Sequence, residues 1–286
     1  MLLEMNFPTT KLDKADEAAF MAARVAVEPF KGPDHVEQAG VVNGKLIAGH
    51  HKGENIYPGV SRDYWTYVPA QYDGKAPANL MIFQDGASYL KQTNAAIVFD
   101  NMIAKGDLKP TICVFVEPGD LKGQPKGSKG NRSAEYDSIS DAYLRFLLEE
   151  LLPDALADYN ITDNPRGRAI CGMSSGGICA FNAAFERPDQ FGVVVSHVGS
   201  FTNIRGGHVY PSRVRQNAKK HIRVFLQGGA ADLNHEIGNW PIANFDMASS
   251  LTFKGYDMRF EFGPGAHNFV HAGAILPQTL KWIFRE

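Results

Sequence analysis

The sequence predicts an α/β fold, with a mainly parallel central sheet that has an antiparallel N-terminal edge and helices on both faces. The first observation behind this prediction is a series of short, continuous apolar runs, which are typical of strands buried on both faces. These runs occupy residues 80–83, 112–116, 168–171, 193–196, 222–226 and 258–262. The second observation is a helical pattern between the runs, clearest over residues 139–152, which Pro153 is expected to end or kink. Buried strands that alternate with helices indicate a parallel sheet covered on both sides.

The N-terminal part of the chain predicts the antiparallel edge and, before it, a helical arm. Residues 41–50 and 63–68 are strand candidates joined by a short connection, which favours antiparallel pairing. Ahead of them, the Ala-rich residues 13–27 predict a helix, and a Gly-Pro turn signal follows it. We therefore divide the chain into an arm over residues 1–40 and an α/β domain over residues 41–286. The arm could dock on the domain, act as a lid or form a dimer contact. A homodimer is therefore one of the alternatives.

Composition argues against several classes of protein. The 286 residues are 44% hydrophobic and carry a formal net charge of −2, with no long run of one sign. Neither a nucleic acid nor an acidic membrane is therefore an expected partner. The three cysteines predict buried free thiols rather than a disulfide framework. Without a signal-like start or an apolar run of membrane length, the chain as written is expected in the cytoplasm, although a processed periplasmic or secreted protein would look the same.

Residues 172–176, Gly-Met-Ser-Ser-Gly, form a G-x-S-x-G motif centred on Ser174. Such a pentapeptide alone also fits a glycine-rich turn, with Ser175 as a rival nucleophile. Here it directly follows the apolar run 168–171 and opens the helical segment 178–187. A strand, a tight turn and a helix together expose a serine hydroxyl above the sheet. The context therefore predicts a nucleophilic serine at position 174.

A nucleophilic serine needs a histidine base and an acid that orients it. In this fold the acid and the histidine follow the serine in that order, each on a loop after a later strand. Asp232 follows the run 222–226, and His267 follows the run 258–262 after a glycine-rich approach. We therefore predict these two residues as the partners of Ser174. The competing residues are His235 and His271 for the base, and Glu236 and Asp246 for the acid.

An oxyanion hole should use the backbone N–H of Ser175 and a second backbone N–H from the loop after an early central strand. The run 80–83 is such a strand, and the loop that follows it contains Gly86 and Ala87. Either of these two residues could supply the second donor. Because both donors belong to the backbone, side-chain substitutions would not reveal them.

With these residues placed, the chain resembles the "Putative esterase" family of α/β-hydrolases, and in particular its enterochelin-esterase-like branch, which is related to feruloyl and acetyl-xylan esterases. The shared segments are residues 57–59, 62–65, 68–70, 83–86, 131–137, 172–177, 198–201, 238–241 and 274–277. The resemblance implies a Ser-Asp-His esterase without metal or cofactor, with Ser174, Asp232 and His267 at the catalytic positions. It leaves the ester open, because members accept aryl, sugar, siderophore and thiol esters.

Several residues on segments near the predicted strand ends are candidates for binding the substrate. They are Arg132, Glu135, Phe201, His208, Asn239 and Trp240. A tryptophan beside an asparagine and an arginine suits an aromatic or sugar-bearing ester. The alternative is that Arg132 and Glu135 form a structural ion pair and that Trp240 belongs to the core.

We therefore expect a serine carboxylesterase that acts through an acyl-enzyme on a small-molecule ester of aromatic, sugar or siderophore type. An acyltransferase with the same triad would share these residues, and an alcohol that outcompetes water would distinguish it. A non-catalytic, ligand-binding member of the fold is the third alternative, and the complete set of triad residues argues against it.

Overall fold

The computed structural model describes residues 32–121 and 129–286. The helix predicted over residues 13–27 lies outside the described residues. Of the predicted arm, only its last residues are described, and they contain the 3₁₀ turn Pro33–His35. No helix within the described ranges combines the length and the apolar character needed to cross a membrane.

The strands follow the predicted apolar runs closely. They are β1 (Lys45–Lys52), β2 (Val60–Val68), β3 (Asn79–Gln84), β4 (Thr111–Val116), β5 (Asp120–Leu121), β6 (Arg168–Met173), β7 (Val193–His197), β8 (Arg223–Ala231), β9 (Asn234–His235), β10 (Gly238–Asn239) and β11 (Asp257–Ala266). Strands β9 and β10 form a separate two-stranded hairpin.

The main sheet has the strand order β1-β2-β4-β3-β6-β7-β8-β11, and β5 pairs with β2. From β4 to β11 all neighbours are parallel, whereas β2 is antiparallel to β1, β4 and β5. The predicted parallel sheet with an antiparallel N-terminal edge is therefore confirmed. Because the carboxyl ends of the parallel strands share one edge, the loops after β3, β6, β7, β8 and β11 all emerge there.

Along the chain the helices lie between strands, except for the last two, which follow β11. They are α1 (Gly86–Gln92), α2 (Ala95–Ala104), α3 (Lys129–Tyr136), α4 (Ala142–Arg145), α5 (Leu152–Ala155), α6 (Ser175–Glu186), α7 (Tyr210–Gln216), α8 (Trp240–Phe253), α9 (Phe269–Ala274) and α10 (Leu276–Ile283). A π-helical segment, Phe146–Leu151, joins α4 to α5.

Pro153 does not end the predicted helix. It occupies the first turn of α5, directly after the π-helical segment. Proline has no N–H for the usual backbone bond and collides with the carbonyl four residues earlier. The wider π turn, in which Leu152 N–H donates to Leu147 O, makes room for the ring, and the chain stays helical to Ala155.

The core has two layers, one on each face of the sheet. Along β3, Leu80 and Ile82 point to one layer while Met81 and Phe83 point to the other. Helices α4, α6, α7 and α8 cover the first face, and helices α1, α2, α9 and α10 cover the second. Burial on both faces explains why the strands read as continuous apolar runs. All three cysteines are buried and free, as predicted.

Candidate active site

Ser174 lies in a sharp turn between β6 and α6. Its backbone has φ 60° and ψ −120°, an unusual conformation for a residue with a side chain. Its N–H donates to His197 O (2.9 Å), and its carbonyl accepts from Gly177 N and Ile178 N. The turn leaves no room for a side chain at Gly172, where a Cβ would come within 2.2 Å of Gly176 O. These constraints hold the Ser174 hydroxyl above the carboxyl edge of the sheet.

The Ser174 hydroxyl belongs to a hydrogen-bonded array of three side chains. Its Oγ lies 2.8 Å from His267 Nε2, and His267 Nδ1 lies 2.6 Å from Asp232 Oδ1. Asp232 directly follows β8, and its side chain has no exposed area, whereas that of His267 is 17% exposed. An ionised carboxylate can only accept, so Nδ1 donates to Asp232 and Nε2 is free to accept the Ser174 proton. The predicted acid and base thus lie in the geometry that a Ser-His-Asp mechanism requires.

The rival residues lie elsewhere. His271 is hydrogen-bonded to Gln227 (3.1 Å), and His235 packs its ring against Trp240 in the β9–β10 hairpin. Glu236 and Asp246 are exposed. Within the described part of the chain, none of these four side chains has a hydrogen bond to Ser174.

The two candidates for the second oxyanion donor differ in whether their backbone N–H already donates a hydrogen bond. Ala87 N–H already donates to the Glu117 carboxylate (2.7 Å), which corrects the prediction that Ala87 could serve. Burial raises the pKa of Glu117, although the Ala87 hydrogen bond acts in the opposite direction. Gly86 opens α1 directly beside it, and its N–H has no hydrogen bond to another described residue. Gly86 N–H is therefore the available donor of the pair.

Trp240 and a residue absent from the predicted site complete the surroundings of Ser174. Ser200 is fully buried, and its Oγ lies 3.2 Å from Ser174 Oγ and 3.1 Å from Trp240 Nε1. The indole also meets the edge of the His267 ring, at 5.7 Å between centroids. Trp240 is only 2% exposed, so it forms a wall behind the histidine rather than a surface for a ligand. Sequence reasoning missed Ser200, and its position just after the strand next to β6 is the signal that could have identified it.

Arg132 and Glu135 form ion pairs, but not with each other. Arg132 donates two hydrogen bonds of 2.7 Å to Asp85 and a longer one (3.3 Å) to Met173 O, directly before Ser174. Glu135 pairs with Arg62 on β2 at 2.8 and 3.0 Å, with both side chains fully buried. Arg132 therefore stands beside the site with part of its side chain exposed, whereas Glu135 cannot reach a substrate. The prediction of Glu135 as a binding residue is wrong.

The remaining candidates for substrate binding also differ in whether their side chains are exposed or are used within the fold. Phe201 is 2% exposed and packs edge-on against Phe181 and Tyr210, so its prediction as a binding residue is also wrong. Asn239 accepts a hydrogen bond from Ile242 N (3.0 Å) and caps helix α8. His208 is exposed within the 3₁₀ turn Gly207–Val209.

Comparison with known proteins shows which family the chain is similar to and which solved structures share its fold. Residues 58–283 match the family described as "Putative esterase". The iron(III) enterobactin esterase of Dickeya dadantii is 29% identical over 230 residues, which cover 77% of this chain but only 49% of that protein. Enterochelin esterase from Shigella flexneri superposes with a TM-score of 0.72 at 21% identity, over 91% of this chain and 62% of that one. A ferulic acid esterase from Anaeromyces mucronatus, solved with ferulic acid, superposes with a TM-score of 0.70 at 16% identity, over 90% and 96%.

Proposed function

Since the chain belongs to the "Putative esterase" family and is a carboxylesterase, we propose that it hydrolyses its ester through Ser174, His267 and Asp232. The observation that supports this proposal most directly is the continuous array, with 2.8 Å from Ser174 Oγ to His267 Nε2 and 2.6 Å from Nδ1 to Asp232. A serine hydroxyl becomes a useful nucleophile only when such a base takes its proton.

In the first step His267 Nε2 removes the Ser174 proton as Oγ bonds to the ester carbonyl carbon. The carbonyl oxygen becomes negatively charged, and the N–H groups of Ser175 and Gly86 stabilise it. The C–O bond to the alcohol then breaks, and His267 returns its proton to the leaving alcohol. In the second step water attacks the acyl-enzyme with the same histidine as base, and the acid and free Ser174 are released. Asp232 holds the imidazole tautomer and stabilises its positive charge.

For the substrate we propose an aromatic, sugar or siderophore-type ester. The relatives named above include an esterase for iron(III) enterobactin and one solved with ferulic acid, which both point to aromatic esters. Arg132 supports a polar or anionic group on the substrate, because Asp85 and Met173 O engage only part of its donors and its side chain is 28% exposed.

A fluorophosphonate probe tests the nucleophile, and an ester panel tests the substrate. We expect the probe to label the wild type at Ser174, and Ser174→Ala to lose both labelling and about 10⁶-fold in kcat. Ser250→Ala is the matched control, because Ser250 is buried in α8 and hydrogen-bonded to Arg215. Hydrolysis by Ser174→Ala at near wild-type rates would refute the mechanism.

The panel contains p-nitrophenyl, feruloyl, acetyl-sugar and catecholate esters, each with the wild type and with Arg132→Gln. The proposed substrate class predicts that kcat/KM is highest for one of the last three. A preference for simple p-nitrophenyl esters over all of them would contradict it.

A further inference from the structure

Ser200 has a position that burial alone does not explain. It follows β7, the strand beside β6, and its side chain is completely buried against the nucleophile. The two serines are also joined through the backbone, since Ser200 N–H donates to Ser174 O (3.1 Å). The distance between their hydroxyl groups is therefore fixed by the main chain as well as by packing.

The direction of each hydrogen bond follows from the groups involved. The Trp240 indole N–H can only donate, so Ser200 Oγ accepts from it. The single proton of Ser200 is then free for its other partner, Ser174 Oγ. The Ser174 proton is directed to His267 Nε2, because the Nδ1 proton of that ring is directed to Asp232.

We propose that Ser200 is a further catalytic residue, which donates a hydrogen bond to the nucleophilic oxygen of Ser174, and that Trp240 is a positioning residue acting through it. The inference rests on the proposed mechanism. Negative charge develops on Ser174 Oγ as His267 removes its proton, and again when Oγ leaves the acyl group during deacylation. A donor at this oxygen stabilises both transition states, and the Ser200 hydroxyl keeps its own proton throughout.

The competing explanation is purely structural: the Ser200 hydroxyl only satisfies the buried indole N–H. Substitution of Ser200 would then lower stability without lowering the reactivity of folded protein. A double-mutant cycle separates the two explanations, because it measures whether Trp240 affects catalysis only when the Ser200 hydroxyl is present.

The experiment compares the wild type, Ser200→Ala, Trp240→Phe and the double variant. The readouts are the rate of fluorophosphonate labelling, kcat and KM for p-nitrophenyl acetate, and thermal unfolding. We expect Ser200→Ala to lower labelling and kcat roughly 10-fold with little change in KM, as for the loss of one hydrogen bond to a reacting oxygen. Trp240→Phe should lower both roughly 3-fold when Ser200 is present and clearly less in the Ser200→Ala background, since the loss of indole volume is common to both backgrounds.

Ser200→Thr keeps the hydroxyl and protects the test if the alanine variant does not fold. It should label within about 3-fold of the wild type, since the hydrogen bond is retained. Wild-type labelling rates in folded Ser200→Ala, equal effects of Trp240→Phe in both backgrounds, or a threonine variant as slow as alanine would each overturn the inference. Failure of the proposed function looks different, because the wild type itself would then not be labelled at Ser174.

Discussion

His197 should make the stability of this protein depend on pH in a defined range. It ends β7, its carbonyl accepts a hydrogen bond from Ser174 N–H, and its ring is completely buried, with Nδ1 2.8 Å from Tyr89 Oη. Burial, together with a contribution from the nearby His271, lowers the pKa of His197 to about 3. The folded protein therefore holds this imidazole neutral at pH values where an exposed histidine is charged.

The sign follows from comparing the two states. An unfolded histidine titrates near its ordinary pKa of about 6.5. Between about pH 6.5 and pH 3, His197 is therefore protonated in the unfolded chain but not in the folded protein. Stability must fall as the pH falls through this window. The linkage relation gives a loss of about 2 kcal/mol at pH 5 and about 0.2 kcal/mol at pH 7 from this one group. Well above pH 7 the loss disappears.

The test is urea unfolding of the wild type and of His197→Gln at pH 7 and pH 5. The glutamine variant should be less stable at pH 7, because the bond to Tyr89 is altered. Between pH 7 and pH 5, however, the wild type should lose about 2 kcal/mol more than the variant. His221→Gln, at an exposed histidine, serves as the control and should keep the wild-type pH dependence. Parallel losses in wild type and His197→Gln would refute the reasoning.

Two further predictions follow from contacts at the edges of the site. Arg62→Met should lower the free energy of unfolding by about 3–5 kcal/mol, because it leaves Glu135 buried without its partner, and adding Glu135→Leu should recover part of the loss. Chemical denaturation measures the stability of the single and the double variant. A single variant as stable as the double variant would contradict this prediction. Gly86→Ala should lower kcat about 100-fold with little change in KM, because a Cβ there would lie 2.4 Å from the Phe115 carbonyl carbon and would displace the proposed oxyanion donor. Steady-state kinetics test this prediction, and a wild-type kcat in folded Gly86→Ala would count against it.

The sheet, and the proximity of Ser174, Asp232 and His267 at its edge, were predictable because their signals are local. The inner strands of the sheet, such as β3, β4 and β7, are buried on both faces and are therefore apolar along their length. Ser174, Asp232 and His267 each follow an apolar run within a few residues. The order of strand, turn and helix then brings them to one edge of a parallel sheet.

The contacts of the candidate binding residues were less predictable because their partners come from distant parts of the chain. Arg132 and Glu135 are three apart and of opposite charge, which suggests a pair on one helix, yet Glu135 turns inward to Arg62 on β2. Phe201 follows a strand end as a pocket residue would, but the packing of Phe181 and Tyr210 draws it into the core. Ser200 has no local signal of its own, since only the pairing of β6 with β7 gives it a neighbour.

The backbone strain at Ser174 means that an inactive variant with glycine at this position would be more stable than the active protein. A conformation with φ 60° and ψ −120° suits glycine, and a residue with a Cβ held there raises the energy of the native state by about 1–3 kcal/mol. A chain with glycine at position 174 could not form the proposed acyl-enzyme, yet it would relieve that strain. Selection for folding alone would therefore remove the proposed nucleophile, and only selection for activity would retain it. In any lineage in which the ester is no longer needed, position 174 should be among the first to change.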